Sequence, residues 1–256
     1  MEDIVCIILA AGQGKRMQRG QKVLVKIQKK PMLGHVLEAV YAIGIQRVIV
    51  VVGHQGEEVE QYLEGWRKRL RIETVQQERL LGTADAVRRT ERLLSDHEGD
   101  VLVLYGDTPL LTEQTLRHLL AAHRSRNNYC TLLTTLMGDP TGYGRIVRNG
   151  RSDTIAKIVE EVDTTSKEKT VKEINVGVYC FRSKSLFEAL KEVKPNNRKN
   201  EYYLTDTVAI LSKQKKTVRS VLSGDRHEVL GVNSPIDLAK ARHVFGRYKN
   251  PEKSSK

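Results

Sequence analysis

The stretch IVCIILAAGQGKRM, residues 4–17, joins an apolar strand to a turn containing two glycines and then to two positive charges. The run Ile4–Ala10 holds only apolar residues, which is typical of a strand buried on both faces of a parallel sheet. Gly12 and Gly14 allow the chain to turn sharply and to bring backbone N–H groups close to a ligand. The stretch therefore predicts a strand that ends in a ligand-binding turn.

Positive charge surrounds this turn, since residues 4–37 contain seven Lys or Arg and no Asp or Glu. Unneutralised cations beside a glycine turn indicate a phosphate site, with Arg16 and Lys22 as candidate contacts. The spacing differs from a dinucleotide-binding fingerprint because Met17 stands at the third glycine position, and the Walker A spacing is absent. No acid follows the second predicted strand in residues 53–56, which further argues against a nicotinamide-dependent oxidoreductase.

Working outward, apolar runs alternate with helical patterns along the first half of the chain. The predicted strands are Ile4–Ala10, Arg47–Val52, Ile72–Gln76, Val101–Tyr105 and Thr131–Leu136. The first predicted helix begins at Pro31 and ends near Gly44. Three more predicted helices cover Glu57–Arg69, Thr83–Leu94 and Thr112–Arg124. Repeated strand–helix–strand units predict an α/β fold, with a Rossmann-like, mixed but mostly parallel sheet and flanking helices.

After Pro140 the pattern predicts a hairpin around an Asn-Gly turn, one more strand and two helices. These segments are RIVRNGRSDTIAKIVE, INVGVYCF, Glu201–Ser212 and Pro235–Tyr248, the last with Ser234 as its N-cap. No repeat or long linker divides the sequence. We therefore expect one domain over residues 1–249 and a frayed tail over 250–256.

The composition narrows the functional classes. A net charge of +12 suits an anionic partner, but only 5% of residues are aromatic, so the basic–aromatic pattern of single-strand nucleic-acid binders is missing. No segment predicts a membrane span or a signal peptide. Three widely spaced cysteines in apolar runs predict small buried side chains in a reducing compartment. We expect a cytoplasmic protein that binds neither nucleic acid nor membrane.

Three motifs follow three predicted strands and should share one edge of the sheet, where open α/β folds bind ligands. They are AAGQGKRM, LLGTADAV and YGDTPLL. Asp107 in the third motif follows a buried strand, and a carboxylate beside polyphosphate is a natural ligand for Mg²⁺. A plain turn or helix-capping role for Asp107 stays open on the sequence alone.

Eight stretches together resemble the bacterial N-acetylglucosamine-1-phosphate uridylyltransferases, a branch of the sugar-nucleotide pyrophosphorylases. They are LAAGQGKRM, QERLLGTADAV, YGDTPLL, GYGRIVR, IVEEVD, EINVGVYCF, NEYYLTD and GVN, and they extend over nearly the whole chain. The first and third occur in similar forms across many nucleotidyltransferases. GYGRIVR, EINVGVY and NEYYLTD narrow the likeness to the uridylyl branch.

The resemblance implies Mg²⁺-dependent transfer of UMP from UTP to N-acetylglucosamine 1-phosphate, giving UDP-N-acetylglucosamine for peptidoglycan and cell-wall synthesis, and pyrophosphate. It implies a nucleotide site at Leu9, Ala11, Gly12, Gly14, Gln77, Gly82, Thr83 and Asp107, with Gln77 and Gly82 at the uracil edge. It implies a sugar site at Thr83, Gly142, Glu160, Asn175 and Asn233. Arg16 and Lys22 would be catalytic cations on the triphosphate, and Asp107 and Asn233 would bind the metal.

The sequence also departs from the family pattern. Gln21 replaces the usual Pro before Lys22, in a loop that looks one residue short, Leu80–Leu81 replaces the usual Gln before LGT, and Val162 replaces a usual Lys. A pyrophosphorylase for another sugar 1-phosphate or nucleotide, and a non-catalytic sugar-nucleotide-binding module, therefore remain alternatives. Because no hexapeptide-repeat β-helix follows the domain, we expect neither acetyl transfer nor the trimer that such a module builds. The oligomeric state stays open.

Overall fold

The computed structural model describes residues 3–12, 21–53, 56–150 and 152–249. The strands are β1 (Ile4–Ala10), β2 (Lys26–Ile27), β3 (Lys30–Pro31), β4 (Arg47–Val52), β5 (Arg71–Gln76), β6 (Asp100–Tyr105), β7 (Cys130–Leu136), β8 (Arg145–Arg148), β9 (Ile155–Val159), β10 (Glu173–Arg182) and β11 (Val218–Leu222). The helices are α1 (Met32–Ala42), α2 (Glu57–Glu64), α3 (Thr83–Arg88), α4 (Glu113–Ser125), α5 (Ser166–Lys169), α6 (Ser183–Glu192), α7 (Asp206–Lys213) and α8 (Pro235–Lys249).

Within the described residues, nine strands join in one sheet with the order β11-β7-β10-β6-β1-β4-β5, and β8 and β9 are attached beside β10. Strand β1 lies between β4 and β6 and runs parallel to both, while β5 is parallel to β4. Strand β10 lies antiparallel between β6 and β7. The predicted α/β class with a mixed, mostly parallel sheet is confirmed.

Both faces of the sheet are covered, which explains why β1 is apolar at every position. Ile4, Cys6, Ile8 and Ala10 enter the cluster that packs under α1, α2 and α4. The alternate residues Val5, Ile7 and Leu9 enter a second cluster, under α3, α6 and α7. A strand with both faces buried reads as a continuous hydrophobic run, because successive side chains point to opposite sides.

Three helices are shorter than the sequence predicted. The segment after Glu64 continues as tight turns, with Trp66 N–H donating to the carbonyl of Leu63. The helix from Thr83 stops at Arg88 because Thr90 bonds back to the Val87 carbonyl at 2.7 Å, and a single 3₁₀ turn covers Glu91–Leu94. The helix predicted from Glu201 begins at Asp206, since Tyr202 and Leu204 before it form hydrogen bonds with the loop at Leu81 and Thr83.

Other elements differ from, or are missing in, the sequence prediction. The hairpin is present as β8 and β9, but six residues connect the strands, with a hydrogen bond from Asn149 N–H to the Thr154 carbonyl. Strand β11, beside β7, and helix α6 were not predicted. The α6 sequence, SKSLFEALKE, follows β10 directly, so no turn signal separates the two elements. The β11 sequence, VRSVL, instead follows a turn after α7 in which Lys215 has a φ of +60°.

The three cysteines are buried and free of disulfides, and burial raises the pKa of each thiol. This confirms their predicted role as small core side chains. In the described part of the chain, no helix has the length and apolar character needed to cross a bilayer.

Candidate active site

A cavity of about 300 Å³ opens at the edge where β1, β5 and β6 end. Its lining contains Leu9, Ala11, Gly12, Lys22, Val23, Gln77, Leu80, Gly82, Thr83, Ala86, Tyr105, Asp107, Glu201 and Asn233. The three motifs expected at one edge of the sheet therefore meet there. Gly14 and Arg16 lie outside the described residues, so their predicted roles stay predictions.

The backbone explains how Asn233 reaches Asp107 across a large separation in sequence. The N–H of Val232 donates to the Asp107 carbonyl at 3.0 Å, which ties the two loops together. Asp237 then accepts hydrogen bonds from the Asn233 N–H at 3.1 Å and from the Ser234 hydroxyl at 2.8 Å. Ser234 caps the helix as the sequence predicted, because its hydroxyl accepts from the Asp237 N–H.

Lys22 lies between the two predicted metal ligands. Its Nζ donates to Oδ2 of Asp107 and to Oδ1 of Asn233, the latter at 2.7 Å. The side chains of Lys22 and Asp107 are 10% and 19% exposed, so this pair is largely removed from water. An anionic and a neutral oxygen directed at one cation form the donor set that suits Mg²⁺, so these residues fit the implied metal.

One side of the cavity is organised by Gln77, whose side chain is buried. Its Nε2 donates to the Gly82 carbonyl at 3.0 Å and to Oδ2 of Asp85 at 2.9 Å. Both amide hydrogens are thus committed within the protein, and a ligand beside Gln77 meets the amide oxygen Oε1. This side of the cavity accordingly offers a hydrogen-bond acceptor to a ligand.

Gly82 is needed where two loops touch. Its φ is +117°, and a Cβ there would lie 2.4 Å from the Tyr202 carbonyl oxygen. Around it, Tyr202 N–H donates to the Leu81 carbonyl at 2.7 Å, and Leu204 N–H donates to the Thr83 hydroxyl at 2.9 Å. These bonds hold the NEYYLTD segment against the LLGTADAV motif, and its Glu201 lines the cavity.

Tyr105 connects the cavity to the predicted sugar residues. Burial, reinforced by the nearby Glu160 carboxylate, raises the pKa of Tyr105, while a hydrogen bond with Thr83 opposes the rise. Gly177, with a φ of +87°, leaves room for the ring, because a Cβ there would lie 2.9 Å from Cε2 of Tyr105. The glycine of EINVGVY thus makes space for a cavity-lining side chain.

Glu160 and Asn175 lie next to each other beside Gly144. A Cβ on Gly144 would be 3.5 Å from Oε1 of Glu160 and 3.6 Å from Cβ of Asn175. Burial raises the pKa of Glu160, partly offset by the hydrogen bond that the Thr205 hydroxyl donates at 3.1 Å. Asn175 is held by its Nδ2, which donates to the Tyr179 hydroxyl at 2.7 Å.

Gly142, two residues before Gly144, has no such close neighbours. Gly142 adopts a φ of +87° and has open space where its side chain would be. Gly142, Glu160 and Asn175 are not part of the cavity lining given above, so their contact with a sugar stays a prediction. The sequence did not predict five of the lining residues, four of which belong to motifs that were singled out: Leu80, Ala86, Tyr105 and Glu201, with Val23 as the exception.

A second polar cluster lies at the opposite edge of the sheet. Ligand atoms of Asp100, His123 and Cys180 are all within 4.8 Å of one another. However, Nε of Arg124 lies 3.7 Å from Oδ2 of Asp100, and Nδ1 of His123 is 2.9 Å from the Thr131 hydroxyl. A guanidinium beside the carboxylate disfavours another cation, so we regard this cluster as a structural polar network.

Comparison with known proteins agrees with this geometry. The family model of the MobA-like NTP transferase domain matches residues 6–208. The chain belongs to this nucleotidyltransferase family. The protein is 42% identical over 246 residues to the bifunctional protein GlmU of Acetivibrio thermocellus and 45% identical over 242 residues to that of Streptococcus mutans. These alignments cover 96% and 94% of this chain but 52% and 51% of the relatives, so the chain spans about half their length.

Solved structures agree on the fold. A UDP-glucose pyrophosphorylase complexed with UDP-glucose matches with a TM-score of 0.78 at 19% identity, over 97% of this chain and 100% of that one. A putative glucose-1-phosphate thymidylyltransferase from Bacillus anthracis matches with a TM-score of 0.76 at 20% identity, over 94% of each chain. At these identities the likeness concerns the fold alone.

Proposed function

We propose that this protein transfers UMP from UTP to N-acetylglucosamine 1-phosphate, with Mg²⁺ as the metal, and releases UDP-N-acetylglucosamine and pyrophosphate. The observation that carries the proposal is the convergence of Asp107, Asn233 and Lys22 beside the glycine turn of β1. The motifs that resemble uridylyltransferases surround this point. The product would feed peptidoglycan synthesis, and we propose that the protein acts in the cytoplasm.

The amide of Gln77 supports uracil as the base. With both Nε2 hydrogens used internally, Oε1 is left to accept a hydrogen bond. Uracil carries an N3–H donor on the edge where cytosine carries an acceptor. A fixed acceptor therefore favours uracil over cytosine, because cytosine would place two acceptors face to face.

The sugar side offers groups suited to hydroxyls and an acetamido group. Glu160 can accept hydrogen bonds, and the Asn175 amide is oriented by Tyr179 and by the Gly177 N–H, which donates to Oδ1 at 3.2 Å. Half-buried, prepositioned polar groups of this kind favour a ligand that satisfies them over one that leaves them unpaired. This arrangement supports N-acetylglucosamine 1-phosphate as the acceptor.

The chemistry requires no protein nucleophile. A phosphate oxygen of the sugar phosphate attacks the α-phosphorus of UTP, one P–O bond forms, and the bond to the departing pyrophosphate breaks. The protein therefore has to align two anions and absorb their charge. Lys22 supplies a cation at the phosphates, and Gly12 permits close backbone approach. The metal held by Asp107 and Asn233 would supply charge neutralisation at the reacting phosphates.

One feature favours a second candidate, a pyrophosphorylase with a different base or sugar. Leu80 lines the cavity and is 41% exposed, so an apolar side chain lies at the opening of the base pocket. An apolar contact gives only modest discrimination between ligands. Turnover with dTTP, CTP and GTP and with several sugar 1-phosphates, each compared with the proposed pair, separates the two candidates.

The decisive assay is pyrophosphate release by purified protein with UTP, Mg²⁺ and N-acetylglucosamine 1-phosphate. We expect turnover that stops in excess chelator and returns when Mg²⁺ is added. Asp107→Asn keeps the size of the side chain but removes its charge, so turnover should fall by about two orders of magnitude or more. A protein that binds UTP but releases no pyrophosphate would instead be a binding module, and near-normal turnover of Asp107→Asn would remove Asp107 from the metal site.

A further inference from the structure

The ammonium group of Lys22 lies where two metal ligands converge. It bonds at once to the Asp107 carboxylate and to the Asn233 amide oxygen. The backbone here is a 3₁₀ turn over Lys22–Leu24, and Val23 is 3% exposed within the core. The turn is therefore anchored, and Lys22 reaches the metal ligands from a fixed point.

We infer that Lys22 is a tethered cation that holds the metal site closed until a nucleotide binds. In the free protein, its ammonium group satisfies Asp107 and Asn233 in place of a divalent ion. Bound phosphates then draw the ammonium group away and release both oxygens to the metal. This inference rests on the proposed function, because it assumes that Asp107 and Asn233 are the metal ligands.

Electrostatic repulsion prevents the Lys22 ammonium group and a metal ion from occupying the site together. A metal ion within coordination distance of Asp107 and Asn233 would lie against the Lys22 ammonium group, and like charges at such a distance in a partly buried site repel strongly. Lys22 is attached to the chain, so its local concentration at Asp107 far exceeds that of a free ion. The free protein should therefore bind divalent ions weakly despite a suitable pair of oxygens.

The triphosphate supplies the alternative partner that Lys22 needs. A lysine carries its charge on a flexible four-carbon stem and can exchange one anionic partner for another without moving the backbone. Since binding linkage is reciprocal, nucleotide and metal should each strengthen the binding of the other. Metal would then enter the site with the nucleotide, and a metal-only state would be sparsely populated.

The test measures Mn²⁺ binding to the nucleotide-free protein by isothermal titration calorimetry and by loss of the free-ion electron paramagnetic resonance signal. Lys22→Met removes the charge and keeps much of the side-chain length. We expect Lys22→Met to bind Mn²⁺ about tenfold or more tightly than the wild type. Lys22→Arg retains a cation, so its Mn²⁺ affinity should stay as weak as that of the wild type. Adding Asp107→Asn to Lys22→Met should abolish the gain in Mn²⁺ affinity.

A thermal melt provides the second readout. Removal of Lys22 leaves the partly buried Asp107 unpaired, so Mn²⁺ should raise the melting temperature of Lys22→Met more than that of the wild type. If the Met variant does not fold, Lys22→Gln undergoes the same two measurements.

Mn²⁺ affinity of Lys22→Met equal to or below that of the wild type, or the same result for Lys22→Gln where the Met variant does not fold, would overturn the inference. Failure of the proposed function is a different result, since it would appear as no pyrophosphate release by the wild type.

Discussion

At the scale of single residues, the cluster of acidic side chains around Glu160 lowers the free energy of unfolding. Asp206, the first residue of α7, is half-buried, and burial together with Glu160 and Asp163 raises its pKa to about 6. The folded state then holds a proton more tightly than the unfolded state, where the pKa of Asp is about 4. Between these two values the free energy of unfolding falls as the pH rises, and the full penalty remains above pH 6.

Asp206→Asn should therefore be more stable than the wild type at pH 7. Partial exposure, and loss of a favourable charge in the first helical turn, reduce the expected gain to about 1 kcal/mol. The advantage should shrink as the pH falls and disappear below about pH 4. Urea unfolding of both proteins at pH 4 and pH 7 measures this, and an equal gain at both pH values would contradict the assignment.

Glu168 provides a control of opposite sign. Hydrogen bonds from Lys157 and from the N–H and hydroxyl of Thr165 lower its pKa to about 2. Its stabilising contribution is present above the unfolded pKa near 4.3 and is lost as the pH falls toward 2. Glu168→Gln should accordingly be less stable than the wild type at pH 7.

At the scale of elements, the close contact of Gly82 with Tyr202 joins two motifs. An Ala Cβ would need the loop to move, because it would lie 2.4 Å from a backbone oxygen at a φ that L residues rarely adopt. Gly82→Ala should lower the free energy of unfolding by about 2–3 kcal/mol and raise KM for UTP. Chemical denaturation and steady-state kinetics measure the two effects.

Gly138→Ala is the matched control for that substitution. A Cβ at Gly138 has no heavy atom within 4 Å, and its φ is not in the left-handed region, so the change should be nearly neutral. Similar losses in the two variants would mean that glycine flexibility, rather than the contact with Tyr202, explains the effect of Gly82→Ala.

Sequence periodicity predicted the strands better than the helix ends. Strand β1 had the predicted bounds because double-sided burial demands an unbroken apolar run. The start of α7 was predicted five residues early, because the preceding residues form tertiary hydrogen bonds with another loop, such as that from Tyr202 N–H to the Leu81 carbonyl. The family resemblance implied a shared metal for Asp107 and Asn233 and a phosphate contact for Lys22, whereas the partners of Gln77 depend on loop geometry that no local pattern encodes.

At the scale of the whole molecule, β1 couples the two faces of the sheet. Its alternate residues belong to the two hydrophobic clusters, so neither cluster can unfold without exposing the strand that supports the other. Leu37 of α1 is fully buried on one face, and Leu186 of α6 is fully buried on the other. We therefore expect residues 1–249 to unfold as one cooperative unit, although chains of this size often populate intermediates.

Leu37→Ala and Leu186→Ala test this coupling from opposite faces. Each removes buried methyl groups and should lower the free energy of unfolding by about 2–5 kcal/mol. Because the faces share their strands, scanning calorimetry should give a single transition that moves to lower temperature in both variants. Leu222→Ala changes a side chain that is 52% exposed, so its free energy of unfolding should stay within about 0.5 kcal/mol of the wild-type value. A second transition in one core variant alone would mean that the two faces unfold independently, and that the shared strands do not transmit the loss.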